Sequence, residues 1–269
     1  MASGLAADTR VSAARARERR ENFPVALRVL PARYREPLHA AYALARRIDD
    51  LGDDPARPAA LRLDDLDALE AELRASGAGP GLPLAPFLDL LAANRYDQTL
   101  ARVTTYDDLL GYCRLSANPV GRVVLAVFGA DGDDAGALSD DVCTALQILE
   151  HCQDVGEDLR ERDRVYLPAE DLDRYGVTEE QLRAAHPSRE LRRLIAAEVD
   201  RAAALLDSGD LLVRRLAGWG RVAVAGYVAG GRATVDALRR CDFDVLAADA
   251  TPRRRDTLRH ALRLLAVRR

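Results

Sequence analysis

Apolar residues recur along this chain at steps of three and four, and hardly anywhere do they alternate at every second position. In "PLHAAYALARRIDDLGDDP", Leu38, Ala41, Ala45 and Ile48 fall on one helical face. Pro37 suits the start of that helix, and Gly52 and Pro55 stop it. An earlier helix is expected from about Val25, ending near Pro31. The same spacing predicts helices over 56–77, 86–94, 106–116, 119–129 and 138–160. Past "RVYLPAEDLDRYGV", which reads as a loop, helices are expected over 178–185, 187–207, 209–216, 218–241 and 252–267. "SGAGPGLPLAP" is the clearest loop. No stretch reads as a strand or an internal repeat. The expected architecture is one all-α domain over 21–269, entered through a flexible, arginine-rich segment at 1–20.

Composition agrees: apolar residues make up 48% and aromatics only 5%, which favours helix over sheet. A net charge of −4 argues against nucleic acid as a partner. Cys113, Cys143, Cys152 and Cys241 are widely spaced, with no CxxC pair, so they read as reduced thiols of a cytoplasmic protein. Cys113 and Cys152 are expected in the core. The first residues lack the apolar centre of a signal peptide, and no apolar run reaches the length of a membrane span.

Charge placement is the informative anomaly. In "RRIDDLGDD", Asp49 and Asp53 share one helical face, and Asp50 and Asp54 share another. They crowd the end of a helix that already carries partial negative charge, where cations are favoured. About a hundred residues on, Gln147, Glu150, Asp154 and Asp158 form a polar stripe on one helix, beside the apolar Leu146 and Leu149. Taken singly, each cluster reads as a solvated face. Together, two facing carboxylate pairs suit Mg²⁺, which takes one or two carboxylates, waters and substrate phosphates. Such ions would offset charge on a departing diphosphate.

"YALARRIDDLGDD" and "QILEHCQDVGEDLRERDRVYLP" resemble the two aspartate-rich signatures of the squalene and phytoene synthase family, and the likeness runs from about residue 21 to 246. "NFP", "YCRLSANPVGR" and "VAGGRATVDAL" resemble its hydroxysqualene synthase branch, whereas phytoene synthases typically carry a YCYxVAG-like sequence at the second of these. The resemblance implies a class I isoprenoid synthase fold, a helical bundle around a central cavity. It implies conversion of presqualene diphosphate to hydroxysqualene through Mg²⁺-assisted loss of diphosphate, rearrangement and water capture. Asp49, Asp53, Asp154 and Asp158 match the magnesium-binding aspartates, with Glu150 beside them. Arg46, Gln147, Arg164 and Tyr166 fall to the diphosphate, and Tyr42 to orienting the reacting end. Arg164 and Tyr166 are expected on a loop that closes over the diphosphate. A downstream oxidoreductase acting on hydroxysqualene is the implied partner.

The chain also departs from the family. Glu150 stands where many relatives have asparagine, Gly231 where carotenoid-type synthases have tyrosine, and Arg19 or Arg20 where an N-terminal histidine is common. Asn118 before Pro119 reads as a helix N-cap, and Trp219 as core. The tail over 251–269 puts Leu258, Leu262 and Leu265 on one side. It reads as a terminal helix docked on the core, with transient contact at the inner face of a membrane as the alternative. Competing functions are head-to-head condensation of two prenyl diphosphates and a non-catalytic assembly factor of the same fold.

Overall fold

The first helix shows how local chemistry sets the boundaries. In the computed structural model, which describes residues 30–248 and 250–267, α1 (Ala32–Gly52) begins directly after Pro31. The N–H groups of Tyr34 and Arg35 donate to the Pro31 carbonyl at 3.0 and 3.1 Å. Tyr34 also packs on Phe128, ring centres 4.9 Å apart. Pro37 therefore lies inside the helix rather than at its start. The hydrogen bond it forfeits is offset by burial of Leu38, Ala41 and Ile48 on one face. The expected entry over 1–20, with Arg19 and Arg20, and most of the helix expected over 25–31 lie outside the described residues.

Eleven further helices follow among the described residues: α2 (Ala59–Ser76), α3 (Ala85–Tyr96), α4 (Tyr106–Ser116), α5 (Asn118–Val127), α6 (Asp133–Arg162), α7 (Ala169–Tyr175), α8 (Glu179–Leu182), α9 (Arg189–Leu205), α10 (Ser208–Arg215), α11 (Gly218–Arg240) and α12 (Arg254–Ala266). The all-α expectation holds, and an isolated bridge between Arg102 and Val165 is the nearest thing to a strand among these residues. Start signals are explicit at several helices. Thr105 and Asp108 form a reciprocal capping box on α4, and the Ser188 hydroxyl accepts the Leu191 N–H at 3.1 Å on α9.

Two sequence expectations are corrected here. The segment read as a loop after α6 contains α7, whose start follows Pro168 and whose end is Gly176 in the left-handed region. Its two turns are too few for a periodic signal. Asn118 is not a cap, because it already lies inside α5. Its side-chain oxygen instead accepts the Thr144 hydroxyl at 3.0 Å, tying α5 to α6.

α6 is the axis of the larger core, packed by α4, α5, α9, α10 and α11. Ile148, Leu149, Cys152, Val155 and Leu159 bury its inner face, and Cys113 is equally enclosed. A second apolar cluster joins Ile48 of α1, Leu66 and Leu69 of α2, Phe87 and Leu91 of α3, and Val123 of α5. α5 packs against both α1 and α6 and so sets the spacing between them. Gly231 allows a close approach on the other side of α6. A Cβ there would lie 2.7 Å from Leu146 Cδ2 and 3.0 Å from Leu206 Cδ2.

The tail docks as expected. α12 lies along α11 with Asp256 and Leu264 buried, and Arg240 and Arg259 donate to Asp256 at 3.1 and 3.0 Å. The supposed single stripe is split, however: Leu265 packs against the core while Leu258 and Leu262 are each 59% exposed. Trp219, in the first turn of α11, is 36% exposed rather than buried.

Outside these cores, α7 is fastened to α9 by a buried charged cluster. Arg201 donates to Asp171 Oδ2 at 2.6 Å and to Glu198 Oε1 at 2.7 Å, beneath the Tyr106 ring. Burial pushes the Glu198 carboxyl up to about 7. Its folded value exceeds the ordinary 4.5, so the folded state holds the extra proton. Stability from this group is therefore full below pH 4.5 and lost as pH rises towards 7, at up to about 1.4 kcal/mol per pH unit. Glu198→Gln, neutral throughout, should flatten that slope. Urea unfolding at pH 5 and pH 8 checks this, and an identical slope in both proteins refutes it.

Candidate active site

Both acidic clusters open onto one cavity of about 270 Å³. Asp49 and Asp53 reach it from the end of α1, and Gln147, Glu150, Asp154 and Asp158 from one stripe of α6. A helix repeats its face every three or four residues, so positions 147, 150, 154 and 158 must point the same way. Asp50 and Asp54 do not line the cavity. Asp50 pairs instead with Arg46 at 3.4 Å on the exposed side of α1.

Crowding of like charge in a partly desolvated space raises the carboxyls. Burial pushes Asp49 up to about 6, opposed by an Asn94 hydrogen bond and the nearby Arg46. Asp158 is pushed up to about 6 by burial, with the charges of Asp154 and Glu157 adding to it, and Asp154 is raised by burial and by Glu157. Asn94 donates to Asp49 Oδ1 at 3.3 Å, and Gly52 leaves the space for it, since a Cβ there would sit 2.0 Å from Asn94 Oδ1. Positive charge comes from the end of α6. Arg162 donates to Asp158 Oδ1 at 3.2 Å, and Arg164 to Asp53 Oδ1 at 3.1 Å.

Arg164 arrives by a backbone reversal. Asp163 takes the left-handed conformation (φ 53°), which costs less for Asp than for most residues, and Arg102 holds its side chain at 3.0 Å. The chain then runs beside 101–103: Val165 donates to the Ala101 carbonyl at 3.0 Å, and Val103 to the Val165 carbonyl at 3.1 Å. Arg164 and Tyr166 are thus pinned into the cavity wall, 7% and 6% exposed, and do not form the closing flap expected from sequence.

Two apolar spaces adjoin the acidic one. The first, about 330 Å³, lies between α1, α3 and α5 and is lined by Leu38, Ala41, Phe87 and Val123, among others. Tyr42 and Arg46 face this space rather than the acidic cavity. The second, about 200 Å³, lies between α5, α6, α10 and α11, with Leu146, Leu212 and Val224 in its wall. Glu150 borders all three.

Asp97 is the residue that sequence reasoning missed. It accepts the Tyr112 hydroxyl at 2.8 Å and the Tyr166 hydroxyl at 3.0 Å, and its backbone carbonyl accepts from Arg164 at 2.9 Å. Burial raises its carboxyl. His151 stacks on Tyr166, ring centres 4.0 Å apart, and burial lowers it to about 3, so it is neutral. Its Nε2 accepts the Gln147 amide N–H at 3.2 Å. A signal was present: Asp97 caps the C-terminal end of α3, the same charge placement that drew attention to Asp49 and Asp53.

The donor set fits magnesium better than a cation caged wholly by protein. It consists of carboxylate oxygens, yet among the described residues no three acidic, histidine or cysteine side chains close around a point. An ion that leaves most of its shell to water and phosphate suits that arrangement.

A family model described as squalene/phytoene synthase matches residues 16–260. A hydroxysqualene synthase from Rhodopseudomonas palustris is 38% identical over 74% of this chain and 72% of its own length. One from Sinorhizobium fredii is 36% identical over 75% and 73%. Among solved structures, the squalene synthase HpnC of Alicyclobacillus acidocaldarius superposes with a TM-score of 0.76 at 38% identity, covering 87% of this chain and 95% of that one.

Asp97 joins α3, α4 and the 163–168 loop, so Asp97→Asn places an amide N–H₂ against one of the two hydroxyl donors. A loss of about 1–3 kcal/mol is expected in urea unfolding, against less than about 0.5 kcal/mol for the exposed Asp50→Asn. Equal effects would remove Asp97 from its structural role.

Proposed function

The chain belongs to the squalene/phytoene synthase family of isoprenoid synthases, and we propose that within it the chain converts presqualene diphosphate to hydroxysqualene. One observation carries the reading: an acidic, arginine-edged cavity lies beside two apolar spaces, with Glu150 in the wall of all three. A diphosphate carrying two long apolar branches has that distribution of polarity. The names of the two bacterial relatives favour the hydroxysqualene outcome.

In this reading Asp49, Asp53, Asp154 and Asp158, with Glu150 at their side, hold the metal. Mg²⁺ bound there supplies positive charge against the diphosphate oxygens as the carbon–oxygen bond breaks. Arg162 turns from Asp158 towards the diphosphate, Arg164 meets it from its fixed place in the wall, and the planar guanidinium suits phosphate oxygens. Gln147 and the Tyr166 hydroxyl border the same space and orient the group. Arg46 and Tyr42 act from the neighbouring apolar space, Arg46 near Asp49 and Tyr42 against the reacting end of the hydrocarbon. The apolar walls keep bulk water from the cation that forms. The reaction implies a cytoplasmic enzyme whose thirty-carbon product passes to an oxidoreductase.

Asp49→Asn and Asp154→Asn should each lower kcat on presqualene diphosphate by about 10²- to 10³-fold without loss of fold, and chelation of Mg²⁺ should abolish turnover. Product analysis decides between this reaction and head-to-head condensation. Consumption of farnesyl diphosphate alone would replace the substrate assigned here.

Contact with an anionic lipid surface is part of the same reading. Leu258 and Leu262 stand exposed on α12, and Arg254 and Arg263 on that helix have no carboxylate partner among the described residues. The full chain should sediment with vesicles of phosphatidylcholine and phosphatidylglycerol at low salt, and Leu258→Glu with Leu262→Glu should release it. Equal sedimentation of both proteins would discard the contact.

A further inference from the structure

Ser116 ends α4, and its hydroxyl oxygen is buried with no hydrogen-bond partner among the described residues. A serine late in a helix ordinarily bonds back to the carbonyl four residues earlier, and this one does not. Buried hydroxyls are nearly always satisfied, by protein or by an ordered water. The position of this one is specific. Ser116 borders both the acidic cavity and the apolar space under α10 and α11, and among the described residues only Gln147 and Glu150 share that double position.

The neighbouring polar groups are already committed. Tyr112 and Tyr166 both donate to Asp97, and the Gln147 amide nitrogen donates to His151. Besides the Glu150 carboxylate, the Gln147 amide oxygen remains as an acceptor on a residue that lines the same two spaces as Ser116. One group that can donate or accept and one that accepts, at a boundary between polar and apolar space, are what a single ordered water needs.

We propose that Ser116 and Gln147 hold one water at this junction, and that this water captures the carbocation. The inference rests on the functional reading given above. When the carbon–oxygen bond of the substrate breaks, its electron pair leaves with diphosphate. A lone pair of the held water then forms the new carbon–oxygen bond, and the proton released passes to a diphosphate oxygen. Substrate and water go to alcohol and diphosphate, with no change in oxidation state overall. Ser116 is therefore a positioning residue: it selects capture by water over loss of a proton to give a hydrocarbon.

The test is a partition, so it does not depend on how fast each variant turns over. Wild type, Ser116→Ala and Ser116→Thr are given presqualene diphosphate and Mg²⁺; diphosphate release and alcohol are both measured, and folding is checked by thermal melting. The wild type should yield close to one alcohol per diphosphate. In Ser116→Ala that ratio should fall about tenfold or more, with hydrocarbon making up the difference, and Ser116→Thr, which keeps the hydroxyl, should restore it. An unchanged ratio in Ser116→Ala overturns the inference and leaves the functional reading standing. Diphosphate release without alcohol from the wild type overturns the reading itself. A crystal structure offers a second check that needs no variant: an ordered water about 3 Å from both Ser116 Oγ and the Gln147 amide oxygen supports the assignment, and a dry junction refutes it.

Discussion

Four aspartates facing one another across a narrow gap are an electrostatic burden that the fold would be more stable without. Asp49 and Asp158, pushed up to about 6 by burial, show its size. Arg162 and Arg164 relieve part of it, and Asn94 relieves part at Asp49. In the function proposed above, cations and a phosphate entering the cavity would relieve the remainder. A binding site of this kind is built by leaving charge uncompensated, and the neighbouring elements serve to keep it so.

Rigidity supplies that resistance. If the two helices could slide, the aspartates would separate and hydrate. α5 packs against both α1 and α6, with Asn118 bonded to Thr144 of α6. On the far side, Asp97 of the α3 end gathers Tyr112 from α4 and both Tyr166 and the Arg164 guanidinium from the 163–168 loop. The loop bearing Arg164 and Tyr166 is held at its base by backbone hydrogen bonds to 101–103, and α7 beyond it is held by the Asp171–Arg201–Glu198 cluster.

The fold class and the carboxylate stripe were legible because both are local and periodic. Residues 147, 150, 154 and 158 declare a shared face by spacing alone, and the structure puts all four on one cavity. Asp49 and Asp53 were legible through a charge at the wrong helix end. What could not be read is what depends on distant partners. Pro37 looks like a helix start unless the anchoring of Tyr34 on Phe128 is known. Asn118 looks like a cap until Thr144, on another helix, claims its oxygen. Arg46 and Tyr42 lie on the right helix but face the apolar neighbour of the acidic cavity, a rotation that spacing alone does not fix. Asp97 carried a readable signal, and only its two tyrosine partners make it a hub.

Gly231 gives the apolar side of the molecule a dimension. Leu146, which walls the space beneath α10 and α11, rests directly on it, and Leu206 is nearly as close. Any side chain at 231 would have to displace Leu146 inward or lift α11 from α6. The width of that space is thus gauged by the absence of one methyl group on the helix behind its wall.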